Sequence, residues 1–229
     1  MINGGMALND NSSAFNSAEY DEKIRRTLPY YDDFFANIIS TVRARGQVPK
    51  SWLDVGCGTG KLAEHVLKSF DIKRFVFCDS SEEMLNIARG RFSAENTEFL
   101  LADVRELTFR NEFDIVTAVQ VNHYFKGEGR VTALKKCFEA LRSGGMYMCF
   151  ENFAPYSEAG RRLYLDRWKN FQLEQGRSPA ACDEHIGRYA KEYFPVSLTE
   201  QLQIMLDCGF KTAEILWVSY MQAGFLGIK

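Results

Sequence analysis

The sequence predicts an α/β fold built on one mostly parallel sheet. Three observations lead there. From residue 51 onward, short apolar runs alternate with amphipathic helical stretches, which implies right-handed crossovers between parallel strands. The runs are near-continuously apolar, as strands covered on both faces must be. A glycine-rich loop, Gly56-Cys57-Gly58-Thr59-Gly60, follows the first of them, at the place where open α/β sheets bind their ligands.

Residues 1–18 are small and polar and are expected to form a disordered tail. Residues 19–50 read as an N-terminal helical cap. Tyr20, Ile24 and Leu28 share one helical face before Pro29 interrupts it. Tyr31, Phe34, Phe35, Ile38, Ile39 and Val42 then recur at spacings of three and four, and Gly46 and Pro49 end the run.

Residues 51–154 read as the core. SWLDV is the first strand, and Leu62, Ala63, Val66 and Leu67 mark the helix after the glycine loop. RFVFCD is the second strand, followed by a helix over 81–91. TEFLLAD and FDIVTAVQV are the third and fourth, and a helix is predicted over 130–142. Gly144 and Gly145 turn the chain into a fifth strand, MYMCFE. Residues 155–195 break the rhythm with two successive helical stretches rich in Arg, Tyr and Trp. A helix over 197–208 and the strands KTAEILWVSY and QAGFLGIK close the chain, so 1–229 reads as a single domain with a helical insert.

Composition narrows the function. The chain has 229 residues, enough to bury about 70% of its unfolded surface without cross-links. Lys plus Arg number 28 against 30 Asp plus Glu, a net charge of -2, which argues against a nucleic-acid partner held by bulk charge. No run reaches the roughly 20 apolar residues of a membrane helix, and the first ten residues lack the basic start and apolar stretch of a signal peptide. Six cysteines without CxxC spacing and only three histidines make a zinc site improbable, so no metal is expected. The thiols fit a reducing, cytoplasmic setting.

The glycine loop admits three readings. A phosphate-cradling loop needs GxxxxGK then Ser or Thr, but Leu62 follows Lys61 and Val55 stands where the first glycine belongs. A dinucleotide fingerprint needs GxGxxG, but position 61 is Lys. Asp54-Val55-Gly56-Cys57-Gly58-Thr59-Gly60 fits the third pattern, DxGxGxG, without a mismatch.

That segment resembles the first motif of the class I S-adenosylmethionine-dependent methyltransferases. Four later signals fall in order. Asp79 ends the second strand 19 residues after Gly60, and Ala102-Asp103-Val104 ends the third. Leu141-Arg142-Ser143-Gly144-Gly145 is similar to the family's turn before strand five, and Asp207-Cys208-Gly209-Phe210 to the segment before its last strand pair. The resemblance implies a Rossmann-like, seven-stranded, mostly parallel sheet with an antiparallel last strand, capped by the N-terminal helices and an inserted helical lid. It implies S-adenosylmethionine as cofactor, S-adenosylhomocysteine as product, and methyl transfer to a small-molecule acceptor.

The same resemblance distributes the cofactor contacts. Gly56, Gly58, Gly60 and the Cys57 backbone would meet the methionine moiety, and Asp54 its amino group. Asp79 would hold the ribose hydroxyls, a role suited to a charged acceptor, with Ser80 beside it. Met84 would pack on adenine while Asp103 and Val104 read its edge. Val119 and Gln120 would lie under the sulfonium. Leu28-Pro29-Tyr30-Tyr31 resembles a segment of the carboxy-S-adenosylmethionine synthase branch, which makes Tyr31 a candidate to fold over the cofactor. His123, after strand four, is a candidate general base on the substrate side. Glu151, Asn152 and Tyr156 follow strand five as further substrate-side candidates. His65 and His185 read as surface residues, and Arg161, Arg162, Arg167 and Arg188 as a solvated face. A carboxy-S-adenosylmethionine synthase, a tRNA-modifying enzyme and a non-catalytic cofactor-binding regulator remain alternatives on this fold.

Overall fold

The computed structural model describes residues 19–229; the expected tail lies outside the described residues. Seven strands form one sheet in the order β3-β2-β1-β4-β5-β7-β6. They are β1 (Ser51–Val55), β2 (Arg74–Asp79), β3 (Thr97–Leu101), β4 (Phe113–Val119), β5 (Leu141–Asn152), β6 (Thr212–Ser219) and β7 (Gln222–Ile228). Pairings from β3 through β5 are parallel, and β7 runs antiparallel to both β5 and β6. The mostly parallel sheet with one reversed strand is the predicted one.

Eight helices accompany it among the described residues: α1 (Tyr20–Thr27), α2 (Tyr31–Ala44), α3 (Lys61–Ser69), α4 (Glu82–Arg91), α5 (Gly127–Ala140), α6 (Glu158–Glu174), α7 (Pro179–Gly187) and α8 (Leu198–Asp207). Alternation along β1 sorts the core into two layers. Trp52 points into a layer with Phe35 and Ile38 of α2, Ala63 and Val66 of α3 and Leu85 of α4. Leu53 and Val55 point into the other, with Leu134 and Cys137 of α5 and Met205 of α8. All six cysteines are buried and free, behaving as small core hydrophobes. No helix among the described residues is long and apolar enough to cross a membrane.

Two boundaries differ from the expectation by three residues or more. Helix α5 starts at Gly127 rather than 130, and β5 starts at Leu141 rather than 146. Phe113 pairs with Leu141 and Ile115 with Met146, so the Arg142–Gly145 stretch bulges out of the β4–β5 ladder. The turn residues Gly144 and Gly145 are therefore a bulge inside the strand.

The insert is tied to the cap. Trp168 Nε1 of α6 donates to the Thr27 carbonyl at 2.6 Å, and Arg177 Nη1 donates to Thr27 Oγ1 at 3.0 Å. At the insert's far end, Phe194 N donates to the His123 carbonyl at 2.6 Å, while buried Arg130 Nη2 donates to the Phe194 carbonyl at 2.8 Å. His185 is not a surface residue: it is 6% exposed, packed edge-on against Trp168 at 5.0 Å and beside Tyr193. Burial, with Arg177 and Arg188 nearby, pulls its imidazole down to about 3, so the ring is neutral. Arg188 is also withdrawn from solvent, over the Tyr193 ring and bonded to Glu192. The sequence pattern of α7 does not show this because the helix is buried by packing on α6. His65 is exposed as expected, stacked on Phe35.

Gly224 of β7 sits opposite Phe150 of β5, whose ring lies where a side chain would be: an added Cβ would come 2.5 Å from ring carbon Cε1. Gly224→Ala is expected to lower stability by about 1–3 kcal/mol, the range for overpacking a core, as read by urea denaturation; an unchanged midpoint would mean the β5–β7 seam yields freely.

Candidate functional site

Strand order turns back between β1 and β4, and the carboxyl ends of the parallel strands meet there. The glycine loop leaves β1 at this point. Gly56 has φ +61, and a Cβ there would lie 2.3 Å from Val121 Cγ2, so both backbone and space demand glycine. Cys57 N donates to the Cys78 carbonyl at 3.0 Å, holding the loop against the end of β2.

Asp79, the last residue of β2, is the hub. Its Oδ2 accepts from Gly58 N at 2.8 Å and its Oδ1 from Ser81 N at 2.9 Å. One carboxylate thereby fixes the loop after β1 and the start of α4, whose first turn Ser81 caps by accepting from Met84 N at 3.2 Å.

A cleft of about 430 Å³ opens over these ends, within the size range of small-molecule sites. Nine of the expected cofactor residues line it: Gly56, Gly58, Asp79, Ser80, Met84, Asp103, Val104, Val119 and Gln120. Tyr31, Asp54 and Cys57 line a side cavity of about 30 Å³, which shares Gly56, Gly58 and Val119 with the cleft. Gly60 lines neither. It takes φ +82 at the start of α3, where a Cβ would strike Phe92.

One carboxyl lies in the side cavity and another at the far end of the cleft. Asp54 is 2% exposed. Its Oδ1 accepts from Thr117 Oγ1 at 2.8 Å, and that hydroxyl accepts from Trp52 Nε1 at 2.9 Å. Burial, reinforced by Asp79, pushes the Asp54 carboxyl up to about 7 against the pull of the Thr117 bond. At the other end, Arg105 grips Asp103 through two bonds, Nε to Oδ1 at 2.9 Å and Nη2 to Oδ2 at 2.6 Å. The guanidinium holds that carboxyl below its ordinary range. It also lies over the Phe125 ring at 4.9 Å. Burial raises the Cys57 thiol well above its ordinary value, which makes it a packing residue rather than a nucleophile.

His123 does not line the main cleft. It lies in an inner cavity of about 30 Å³ that shares Tyr20, Gln120 and Tyr124 with it. Its Nδ1 meets Glu151 Oε2 at 3.0 Å, and its backbone N donates to the same oxygen at 3.1 Å. Glu151 Oε1 accepts from Asn122 N and Nδ2 at 3.2 and 2.9 Å. Both side chains are about 2% exposed. Burial keeps the imidazole below its ordinary value, with Glu151 opposing and Arg130 and Arg188 adding to the effect. Of the residues expected after strand five, Glu151 and Asn152 are instead the last two of β5 and are buried, Asn152 lining this cavity, whereas Tyr156 is 69% exposed.

Sequence reading did not name Tyr20, Arg105, Tyr124 or Phe125 as site residues. Tyr20 lies at the junction of all three spaces. A basic residue two places after the strand-three acid, and aromatics directly after strand four, were the available signals.

Comparison with known proteins agrees with this geometry. Residues 53–145 match a family model described as a methyltransferase domain. A carboxy-S-adenosyl-L-methionine synthase of Helicobacter hepaticus is 25% identical over 210 residues, covering 88% of this chain and 87% of that protein. A Methanococcus maripaludis structure assigned to the S-adenosyl-L-methionine-dependent methyltransferases superposes with a TM-score of 0.65 at 18% identity, covering 98% and 97% of the two chains. Human N-acetylserotonin methyltransferase, solved with S-adenosylmethionine, gives 0.57 at 17% identity, covering 93% of this chain and 58% of that one.

The carboxylate favours the charged imidazole, so Glu151→Gln is expected to move the titration of His123 further down from the usual 6.5 or so. The ring-carbon chemical shift of His123 followed against pH reads this directly, and an unmoved midpoint would mean the pair is not formed in solution.

Proposed function

We propose that this chain, an enzyme belonging to the class I S-adenosylmethionine-dependent methyltransferases, transfers the cofactor's methyl group to a small-molecule acceptor by in-line displacement. The observation that carries the reading is the cleft itself. A ribose-holding acid, a glycine loop and an adenine-edge acid line one space of about 430 Å³. When bound, S-adenosylmethionine supplies an electrophilic methyl on a positively charged sulfur.

The residues fit that group. Asp79, held by two backbone bonds, brings a carboxylate to the cleft wall, an acceptor suited to ribose hydroxyls. Buried Asp54, whose carboxyl is pushed up to about 7, gains a cationic partner if an ammonium enters the side cavity beside it. Met84 and Val104 are buried apolar surfaces suited to a flat base. With an electrophile already charged, the protein's work is alignment and exclusion of water, and orientation alone supplies roughly 7–11 kcal/mol. Gln120 at the junction and His123 within the inner cavity lie on the side from which an acceptor would attack. His123, oriented by Glu151, serves as the proton acceptor, an effect of typically 10²–10⁴-fold.

A second reading has specific support. The relatives that cover most of the chain are named carboxy-S-adenosyl-L-methionine synthases. Mass spectrometry of the nucleoside retained by the purified protein separates the readings, since a mass increased by a carboxyl group would favour the synthase.

Calorimetry with S-adenosylhomocysteine tests the site. Asp79→Ala is expected to weaken binding by about 1.5–3 kcal/mol, the range for charged hydrogen bonds; unchanged affinity would remove the ribose assignment. A pH series tests Asp54. Its carboxyl is protonated below about 7 in the free protein, and an ammonium partner needs the carboxylate. Affinity should therefore rise as pH increases through 7, with proton release, and the slope should vanish in Asp54→Asn.

A further inference from the structure

Gln120 stands between the cleft and the inner cavity. Its side-chain nitrogen is fully committed, donating to the Phe150 carbonyl at 3.2 Å and to Gln222 Oε1 at 3.0 Å. Those two bonds fix the orientation of the amide and leave Oε1 as the group available at the junction. His123 is fixed in the same way. With Nδ1–H donated to the Glu151 carboxylate, the remaining ring nitrogen, Nε2, carries a lone pair. Gln120 and His123 both line the inner cavity, and each brings a hydrogen-bond acceptor to it. Asn152 adds a side-chain amide that is 4% exposed, with Oδ1 buried and lacking a hydrogen-bond partner. Tyr124, Tyr193 and Trp168 supply aromatic wall. The space of about 30 Å³ admits only one or two water-sized groups.

We infer that the acceptor places a neutral primary amino group in this cavity, so that the enzyme is an N-methyltransferase of small primary amines. The inference rests on the methyl-transfer reading and names its substrate class. A primary amine has two hydrogens to share among the acceptors of Gln120, His123 and Asn152, and one lone pair left over for the methyl carbon. A hydroxyl has one hydrogen, and would leave two of the three unsatisfied. The cavity also accommodates no more than the amino group and its new methyl.

The electrostatics agree. Burial, with Arg130 and Arg188 nearby, holds the His123 imidazole below its ordinary value, with the Glu151 carboxylate opposing. A neutral amine attacks without first losing a proton, whereas a hydroxyl must give one up. The Glu151 carboxylate beside the ring favours the imidazolium that forms afterwards. The amine nitrogen bonds to the methyl carbon as the methyl–sulfur bond breaks, and that electron pair stays on sulfur. The proton on the new ammonium passes to His123 Nε2. The products are a neutral N-methylamine, a neutral thioether and an imidazolium facing Glu151.

The test uses the full chain with ¹³C-methyl S-adenosylmethionine and a small-molecule extract of the cells that make it, products being read by ¹H–¹³C correlation spectra. Label on nitrogen is the expected result. Label on oxygen, sulfur or carbon overturns the inference and leaves methyl transfer standing. No labelled product, with S-adenosylhomocysteine still binding, overturns both. For the labelled amine, His123→Asn should lower kcat about 100-fold while S-adenosylhomocysteine affinity is retained. Gln120→Met should raise KM for the amine, and wild-type values of both parameters in these variants would also overturn the assignment.

Discussion

The reversal of strand order between β1 and β4 is the constraint from which the site follows. Helices α3 and α4 pack on one face of the sheet and α5 and α8 on the other. The carboxyl ends of the parallel strands are thereby left open to one crevice. Asp79 closes the structure around that crevice by taking N–H groups from two different loops. On the proposed function the same carboxylate would also accept from a ribose, which would tie ligand affinity to loop geometry.

The polar interior follows a consistent rule. Asp54 is backed by Thr117, and Thr117 by the indole of Trp52. Glu151 receives four N–H contacts from two successive residues, Asn122 and His123. Asp54 is fixed from the adjacent strand, and Glu151 from the turn that follows β4. This makes both groups rigid. A rigid carboxylate at the end of β1 and another at the end of β5 frame the space in which charge would move from sulfur to acceptor.

Much of the architecture was legible because strand residues bury both faces. SWLDV, RFVFCD and TEFLL announce strands by composition alone, and DxGxGxG announces the loop between the first of them and its helix. The spacing from Gly60 to Asp79 was readable for the same reason: one helix and one strand have predictable lengths. What was not legible involved contacts between distant segments. His185 looks like a surface residue in its own helix, and becomes core only because Trp168 and Tyr193 close over it. Arg105 sits in a polar stretch whose role depends on Asp103 and Phe125 meeting it in space. Tyr20 read as one of several apolar-face residues of the cap. Its place at the junction depends on how α1 docks, which periodicity does not encode. The β5 bulge was hidden because Gly144-Gly145 is equally good as a turn.

Thr27 ends α1 near the start of the chain, yet both groups that hold it, Trp168 and Arg177, come from the insert. A ribosome delivers the chain from its N-terminus, and domains fold as units on that timescale. Helix α1 therefore emerges more than a hundred residues before its anchors, and β1 through β4 follow it before Trp168 is made. Its docking on the insert waits for Trp168 and Arg177, so Tyr20 takes its place in the cleft wall with the help of contacts of long sequence separation.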